Sequence, residues 1–440
     1  MDEFHDQRII RGKSTRVVLD NGELDEISES FFLGAAVRAL SGGSWGFVQT
    51  ESLEDLAGDL KMAKRAARRI TGDERLDLAP SLPGKSAKIT VKKDPGDLSL
   101  EEKVGLLREI EDAAKVEGVS STQAVYNEVL MKTTYSSSDG RDLECQTTRI
   151  GFYVTAVASR TGVFQAGMES RAGTCGLELF DEVDAPALAR RAGETAVALL
   201  DAKAAKGGSY PVVVDQDLGG VFVHEAVGHA VEADIVLEGG SILEGKIGEQ
   251  IGSELVTVKD DPSLPLYGHY PFDDEGSASG ETVLVEDGVL LSFLHSRETA
   301  GRLDGIPRNA RAQGSARPVV RMSNTYIAPR KDGWKLTEIL EEMKDGVYLL
   351  GSRGGQVSTA EGVFQFNAKR GYLVEGGELT SLLRDVSLSG HILEILERVK
   401  AVGNDLSFNS GRCGKSGQLV PVSDGSPHLL IEEATVGGAG

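Results

Sequence analysis

One stretch constrains this chain more than any other: residues 221–234, VFVHEAVGHAVEAD. It holds two of the seven histidines, His224 and His229, with Glu225 beside the first. The remaining residues are mostly apolar or small and would cover nearly every face of a helix, so the pattern predicts a buried helix. Burying two imidazoles and a carboxylate is costly unless they are paired or bind a metal ion. The stretch therefore predicts a metal site within a core.

The spacing of the two histidines differs from the HExxH pattern of zincins, in which both imidazoles bind zinc and the glutamate handles the proton of a water molecule. Here the pattern is HExxxH. On a regular helix, side chains five residues apart diverge by about 140°. One π-type turn would bring both onto one face, and such turns occur mostly at functional sites. We expect a distorted helix, with Gly228 easing the distortion.

Two histidines leave a zinc ion short of a third protein ligand. The candidates are two acids and the three cysteines: Glu232, Asp234, Cys145, Cys175 and Cys413. Glu232 comes three residues after His229 and could face the metal. Cys413 lies between glycines that allow close backbone approach, and Arg412 and Lys415 would favour its thiolate, the form that binds metals. The residues alone leave this choice open.

A second acidic group lies in FDDEG, residues 272–276, where Asp273, Asp274 and Glu275 precede a glycine. A solvated turn is the ordinary interpretation of such a group. The alternative is that these carboxylates bind substrate or orient a metal ligand.

Composition excludes several classes of protein. The net charge is −21, which disfavours nucleic acid or an anionic membrane surface as the main partner. The three cysteines are few and odd in number, which argues against a disulfide framework. The cytoplasm is therefore the expected location. The chain has no apolar signal region at its start and no uncharged apolar run long enough to cross a membrane, so secretion and membrane spanning are not expected.

The pattern of elements predicts an α+β fold, because helices are segregated from strands joined mainly by hairpins. Helices are predicted at 52–70 with Ser52 as the cap, at 99–118 with Ser99 and Glu102 forming a capping box, and at 185–206. A hairpin turn is predicted at Asn21-Gly22, a connector at 71–98, and strands at 210–214 and 254–259. We expect an N-terminal α+β domain, residues 1–206, and a C-terminal, mainly antiparallel β domain, residues 207–440, that is entered through the buried HExxxH helix and binds the metal.

Two other motifs fail on context. Residues 42–46 match GxSxG, but a strand follows where a hydrolase nucleophile needs a helix. Gly414-Lys415-Ser416 resembles the end of a phosphate-binding loop, but Asn409 stands where that loop requires glycine. Nucleotide binding has no support in the sequence.

Taken together, the motifs resemble those of the TldD/PmbA family of metalloproteases, specifically the TldD branch that keeps its metal site. They are HEAVGHAVEAD at 224–234, FDDEG at 272–276, RMSNTYIAP at 321–329, GGQV at 354–357, VGNDL at 402–406, CGKSGQ at 413–418 and TVGG at 435–438. The resemblance is strongest over residues 207–440 and thinner before them, where it rests on GAAVRALSGGSWGF at 34–47.

The resemblance implies zinc held by His224, His229 and Cys413, with Glu225 as the general base. It also implies a dimer that encloses the active sites in a chamber, formed with a second copy or with a PmbA-like paralogue. Unfolded peptides would enter and lie along a sheet edge as an added strand.

The leading hypothesis is a cytoplasmic zinc-dependent peptidase. One alternative is a non-catalytic scaffold or assembly partner with a structural zinc, whose fourth position would be filled by Glu232 or a further cysteine. The other is a metal hydrolase acting on non-peptide amides, which would use the same residues. Glu225 favours an enzyme, since a structural zinc site has no need of it.

Overall fold

A computed structural model describes residues 3–69 and 76–438 and confirms the α+β class. The helices are α1 (Leu56–Ala67), α2 (Leu100–Ala114), α3 (Leu179–Glu182), α4 (Ala185–Leu200), α5 (Gln216–Val223), α6 (Ala233–Leu237), α7 (Arg297–Leu303), α8 (Leu336–Met343) and α9 (Ile392–Glu397). None of the helices in these residues is long and apolar enough to cross a membrane.

Seven strands of the first half form one sheet. They are β1 (Glu3–Asp20), β2 (Glu23–Ser41), β3 (Ser44–Thr50), β4 (Ala87–Lys88), β5 (Val119–Ser137), β6 (Asp142–Arg160) and β7 (Val163–Gly173). Their order is β3-β2-β1-β5-β6-β4, with β7 also paired to β6. Asn21 and Gly22 join β1 to β2 with positive φ angles, as the Asn-Gly hairpin turn requires. The helices α2 and α4 cover this sheet through a core that includes Leu107, Phe152 and Ala192.

The second half contains two larger sheets and a small two-stranded one. The strands are β8 (Lys203–Ala204), β9 (Gly208–Val214), β10 (Val258–Asp260), β11 (Thr282–Glu286), β12 (Val289–Leu290), β13 (Ala310–Arg311), β14 (Val319–Val320), β15 (Asn324–Ile327), β16 (Gly346–Ser358), β17 (Val363–Glu375), β18 (Glu378–Arg384), β19 (Ser387–His391), β20 (Val399–Val402), β21 (Ser407–Lys415), β22 (Gln418–Ser426) and β23 (Leu429–Gly437).

The eight-stranded sheet runs β16-β9-β23-β19-β17-β18-β8, with β20 beside β23, and the six-stranded sheet runs β12-β11-β10-β15-β22-β21. Pairing is mainly antiparallel, although β9–β16 and β15–β22 are parallel. The largest core joins Val214 of one sheet and Val422 of the other to Phe222 of α5. The helix α5 therefore lies between the two sheets, which buries it on nearly every side as its sequence predicts.

Several local predictions differ from the structure. The first helix begins at Leu56 with Asp55 as its cap, because the Ser52 hydroxyl accepts a hydrogen bond from Glu54 N instead. The predicted end of that helix, Ile70, and the connector residues 71–75 lie outside the described residues. The helix predicted at 185–206 ends at Leu200, since Lys203–Ala204 pairs with β18. Only Val258–Asp260 of the strand predicted near 254–259 is paired.

The capping box at Ser99 and Glu102 is present. The GxSxG match at 42–46 spans the turn between β2 and β3 and the start of β3, as expected. The division at residues 206 and 207 stays a prediction.

Candidate metal centre and its cavity

The two histidines lie on one distorted helix. After α5 the chain forms a π turn over His224–Gly228, in which the His229 amide donates to the His224 carbonyl at 3.2 Å. This i to i+5 bond places the two imidazole rings 5.3 Å apart between centroids. A Cβ atom on Gly228 would lie 1.9 Å from Met322 Sδ, so a larger residue at this position would displace the Met322 side chain.

Cys413 approaches the histidines from the edge strand β21. Its Sγ lies 3.4 Å from His229 Nε2. The candidate ligand atoms of His224, His229 and Cys413, one from each residue, all lie within 4.8 Å of one another. Tetrahedral zinc, with bonds of about 2.3 Å to sulfur and about 2.1 Å to nitrogen, separates two such ligands by about 3.6 Å. Two imidazoles and one thiolate also suit zinc by chemical type. The donor set therefore fits a metal ion of this class.

The imidazoles prepare the thiol for metal binding. Burial by itself would raise the pKa of Cys413, but the neighbouring His224 and His229 outweigh it and lower the pKa to about 5. In return, and against the effect of burial, the thiolate raises the pKa of His224. Arg412 and Lys415 were expected to favour the thiolate, and that expectation is wrong: Arg412 is exposed, and Lys415 has other partners.

A carboxylate orients His229. Glu232 is fully buried, and its Oε2 accepts a hydrogen bond from His229 Nδ1 at 3.0 Å. The same oxygen accepts from Lys415 Nζ at 3.0 Å, and Lys415 also donates to Asp234 at 2.7 Å. With Nδ1 held in this way, Nε2 of His229 is left facing Cys413. Glu232 therefore lies behind His229 and orients its imidazole ring. Asp234 helps to hold Lys415 in place.

Glu225 stands beside the ligands and faces open space. Its Oε2 lies 3.8 Å from His229 Nε2, and about a quarter of its side chain is exposed. It lines a cavity of about 530 Å³ together with His224. The opposite wall comes from the N-terminal sheet and α4, including Tyr153 and Arg171. A carboxylate placed between a metal site and an open cavity is the arrangement that water-activating chemistry requires.

Comparisons with known proteins agree with this geometry. Profiles of the PmbA/TldA metallopeptidase domains match the chain three times: domain 1 over residues 8–70, the central domain over 93–200 and the C-terminal domain over 207–438. The chain belongs to the TldD/PmbA family of metalloproteases.

Its relatives span nearly its whole length. A metalloprotease of Methanothermobacter thermautotrophicus is 43% identical over 99% of this chain and 96% of its own. A protein named zinc metalloprotease TldD homolog, from Saccharolobus solfataricus, is 31% identical over 92% of this chain and 90% of its own. The solved structure of TldE from Thermococcus kodakarensis shares the fold, with a TM-score of 0.79 at 18% identity over 100% of this chain and 97% of that one.

The sequence interpretation of this TldD/PmbA family chain missed Asp424, which the structure places near the metal ligands. Asp424 lies on β22 and lines the cavity, and burial raises its pKa to about 7. Its Oδ1 is buried without a partner, at a point where a Cβ on Gly220 would come within 2.6 Å. Asp424 belongs to no motif that suggests chemistry, so only the packing of β22 on α5 reveals it.

Arg321, within the motif at 321–329, was also missed. It is fully buried, and its guanidinium donates to the carbonyl oxygen of Cys413 and, at 3.4 Å, to that of Gln418. It therefore holds the β21–β22 hairpin that carries the cysteine ligand.

The FDDEG acids lie elsewhere, in a contact between the two halves of the chain. Asp273 accepts from the amides of Glu275, Ser277 and Ala310. Glu275 accepts from Arg38 Nη1 at 2.9 Å and from Arg297 N at 2.7 Å. Asp274 Oδ2 accepts from the amide of Ala312 at 2.7 Å. No residue of the motif is among those that line the cavity, and the geometry favours a structural role for all three.

The two remaining cysteines lie apart from the metal ligands. Cys145 is on β6, and Cys175 follows β7. Burial raises the pKa of Cys145 to about 11 and that of Cys175 to about 12, which disfavours their thiolates. All three cysteines of the chain are free.

Proposed function

We propose that this chain is a zinc-dependent peptidase in which His224, His229 and Cys413 hold the ion and Glu225 is the general base. One observation carries the proposal: three ligand atoms converge within 4.8 Å, and the carboxylate beside them opens onto a cavity. The name of the Saccharolobus relative, a zinc metalloprotease, supports the choice of metal.

The residues of the chain divide the chemistry among them. A zinc ion bound here supplies Lewis-acid polarisation of the scissile carbonyl. Glu225 takes the proton of the attacking water and delivers it to the leaving amine. Glu232 keeps His229 in the tautomer that leaves Nε2 free. The cavity wall from the N-terminal half limits the access of bulk water to this centre.

The strand β21 offers a place for the peptide backbone. It is the last strand of its sheet and pairs only with β22 among the described strands. Ser407, Asn409, Ser410 and Gly411 of this strand line the cavity, just before Cys413. A peptide added alongside β21 would be held by main-chain hydrogen bonds and would pass beside the metal ligands. An unfolded peptide fits this mode, because recognition by backbone depends little on side chains.

The test is Glu225→Gln, measured as cleavage of an unstructured peptide by the zinc-loaded protein. We expect turnover to fall by about 10²–10⁴-fold, the contribution typical of general acid–base catalysis. Zinc per chain should stay unchanged. Glu397→Gln, an exposed change at the end of α9, is the matched control and should leave both quantities unchanged. Full turnover in Glu225→Gln would exclude Glu225 as the general base, whereas zinc binding without any cleavage by the unaltered protein would favour a scaffold with structural zinc.

The proposal includes a dimer, formed either with a second copy or with a PmbA-like subunit, and a cytoplasmic location. Among the described strands, residues 23–34 of β2 pair only with β1, and they expose apolar side chains. Phe31 is the extreme case, with 81% of its surface exposed. Unpaired edges with apolar side chains are typical of association surfaces. The mass of the purified particle, alone and mixed with the paralogue, tests the partner, and three free cysteines suit a reducing compartment.

A further inference from the structure

The charged side chains around the cavity are unevenly paired. The cavity contains five basic and five acidic side chains: Arg171, Arg191, Lys369, Arg370, Arg412, Glu169, Asp215, Asp217, Glu225 and Asp424. If all of them were paired within the protein, the cavity would offer a substrate no net charge. The structure shows instead that three of the acids have partners within the protein, whereas three of the arginines have no carboxylate partner among the described residues.

Three of the acids have close partners. Glu169 lies 3.7 Å from Arg191 Nε, and Asp217 accepts from Lys369 Nζ at 2.9 Å. Asp215 caps α5 and accepts from two backbone amides, at 2.9 Å each. These carboxylates are therefore not available to compensate other cations.

The other two acids lie near the candidate metal centre. Glu225 is the proposed base. Asp424 directs its buried Oδ1 at Gly220 of α5 and away from the open space. Neither carboxylate forms an ion pair with a cavity arginine within the described part of the chain.

Three arginines keep free hydrogen-bond donors in this space. Arg171 donates only to the carbonyl of its neighbour Ser170, at 2.7 Å. Arg370 donates to Thr195 Oγ1 at 2.6 Å, and its Nε is buried without a partner. Arg412 is exposed on the strand beside Cys413, and no carboxylate among residues 3–69 and 76–438 pairs with any of the three.

A guanidinium presents five donors in a planar fork that matches a carboxylate, and such bonds are stronger in a partly enclosed site than in water. The rest of this protein carries a large negative charge, which would repel acidic peptides from other surfaces. A local group of unpaired cations in the same cavity as the proposed general base thus attracts an anion into that cavity.

We infer that Arg171, Arg370 and Arg412 make this site select peptides that place a carboxylate close to the scissile bond. The carboxylate belongs to an Asp or Glu side chain or to a free C-terminus, which share the same chemistry. The inference rests on the proposed peptidase function and names its substrate class.

The experiment uses quenched fluorescent peptides cleaved by the zinc-loaded, full-length protein. One series carries a single glutamate moved along a neutral, C-terminally amidated peptide, and its reference has glutamine at each of those positions. A third peptide is neutral with a free C-terminus. We expect kcat/KM for the best glutamate or free-carboxylate peptide to exceed that of its neutral reference by about tenfold, the effect of one charge-assisted hydrogen bond. The peptide that shows the gain identifies the source of the carboxylate.

The double variant Arg171→Gln, Arg370→Gln should lower this ratio, mainly through KM, with Arg412 left as the remaining unpaired cation. Arg191→Gln is the matched control, because it removes a positive charge from the same wall but from an existing pair, and the ratio should then change by less than about twofold. Equal kcat/KM for acidic and neutral peptides at every position would overturn the inference and leave the peptidase function standing.

A binding measurement separates the inference from the function. Fluorescence anisotropy with the Glu225→Gln variant reports peptide affinity without turnover. Tighter binding of the carboxylate peptide, weakened by salt, supports the inference even if no peptide is cleaved by the unaltered protein, a result that would overturn the peptidase function alone. Equal, salt-independent affinity for acidic and neutral peptides would overturn the inference by itself, whether or not the double variant folds.

Discussion

Two of the buried groups of ionisable side chains in the described residues include a motif that stands out in the sequence. One is the metal cluster around His224, His229 and Cys413. The other is the interdomain cluster of Asp6, Arg38, Asp273 and Glu275, in which every carboxylate oxygen has a partner: Asp6 accepts from Arg38 and Tyr135, and the other two from amides and arginines.

The difference lies in what remains unsatisfied. In the metal cluster, Glu232 and Lys415 fix the outer side of His229, while the inner atoms of the two imidazoles and the thiol face one another. A cluster whose atoms are all paired can only hold parts of the chain together. A cluster that leaves ligand atoms converging on a common point can bind an ion.

The strongest test of this comparison is Cys413→Ala. Changes behind the ligands typically weaken metal binding by about 10–100-fold, so loss of a ligand should weaken zinc binding by more than that. We expect zinc per chain, measured by elemental analysis after dialysis, to fall toward zero together with peptidase activity. The control is Cys145→Ala, which changes a second buried cysteine and should retain the metal. Equal zinc in both variants would remove Cys413 from the site.

In the interdomain cluster, Arg38→Met should lower the free energy of unfolding by about 3–5 kcal/mol, because Asp6 and Glu275 would be left buried without their common partner. Zinc per chain should not change. The control is Arg16→Met, which breaks an exposed pair with Glu26 and should cost at most about 1 kcal/mol. Chemical denaturation measures both. A loss of zinc in Arg38→Met would show that the two clusters are not independent.

His295 is a buried histidine whose ring lies 3.2 Å from Thr299 Oγ1 and has no carboxylate partner among the described residues, and it sharpens the contrast through pH. Burial lowers its pKa from 6.5 to about 4. As the pH falls below about 6.5, the histidine is protonated in the unfolded chain but stays neutral in the folded protein. The contribution of His295 to the free energy of unfolding is therefore complete above that pH. It decreases toward about pH 4, by roughly 3 kcal/mol in all. Denaturation at a series of pH values should show a flatter slope for His295→Asn. An unchanged slope would contradict a neutral, buried His295.

The smallest expected effect concerns the outer side of the metal cluster. Glu232→Gln keeps the size of the side chain but removes the charge that orients His229 and pairs with Lys415. Zinc affinity, measured by competition with a chelator, should fall by about 10–100-fold. Glu238→Gln, on the exposed end of the same segment, provides the reference value. A complete loss of zinc would instead indicate that Glu232 is itself a ligand.

Local structure followed from the sequence wherever short-range chemistry decided it. The Asn21-Gly22 turn and the Ser99 capping box are examples, because each is satisfied by residues a few positions apart. Ser52 does not cap the helix as predicted, and the reason is again local, because its hydroxyl accepts a hydrogen bond from the amide of Glu54. The strand predicted near 254–259 was shortened by pairing with distant partners, which no local pattern contains.

The metal site shows the same division. The helix with a π turn was predictable, because a spacing of five positions from His224 to His229 allows the two side chains to converge only through an i to i+5 bond. The family motif pointed to Cys413, and the residues alone left five candidates. The roles of Glu232, Lys415 and Asp424 were decided by tertiary structure, because residues such as Glu232 and Lys415, 183 positions apart, meet there.

What the sequence by itself determined is therefore the type of chemistry: two imidazoles and a carboxylate that no apolar core would keep without a purpose. What only the tertiary structure decided is which acids serve that chemistry. Glu232 and Glu275 are both buried glutamates, yet one holds His229 of the candidate metal centre and the other bonds Arg38 of the N-terminal half. The physical reason is that the role of a buried charge depends on the partners that surround it, and those partners come from distant parts of the chain.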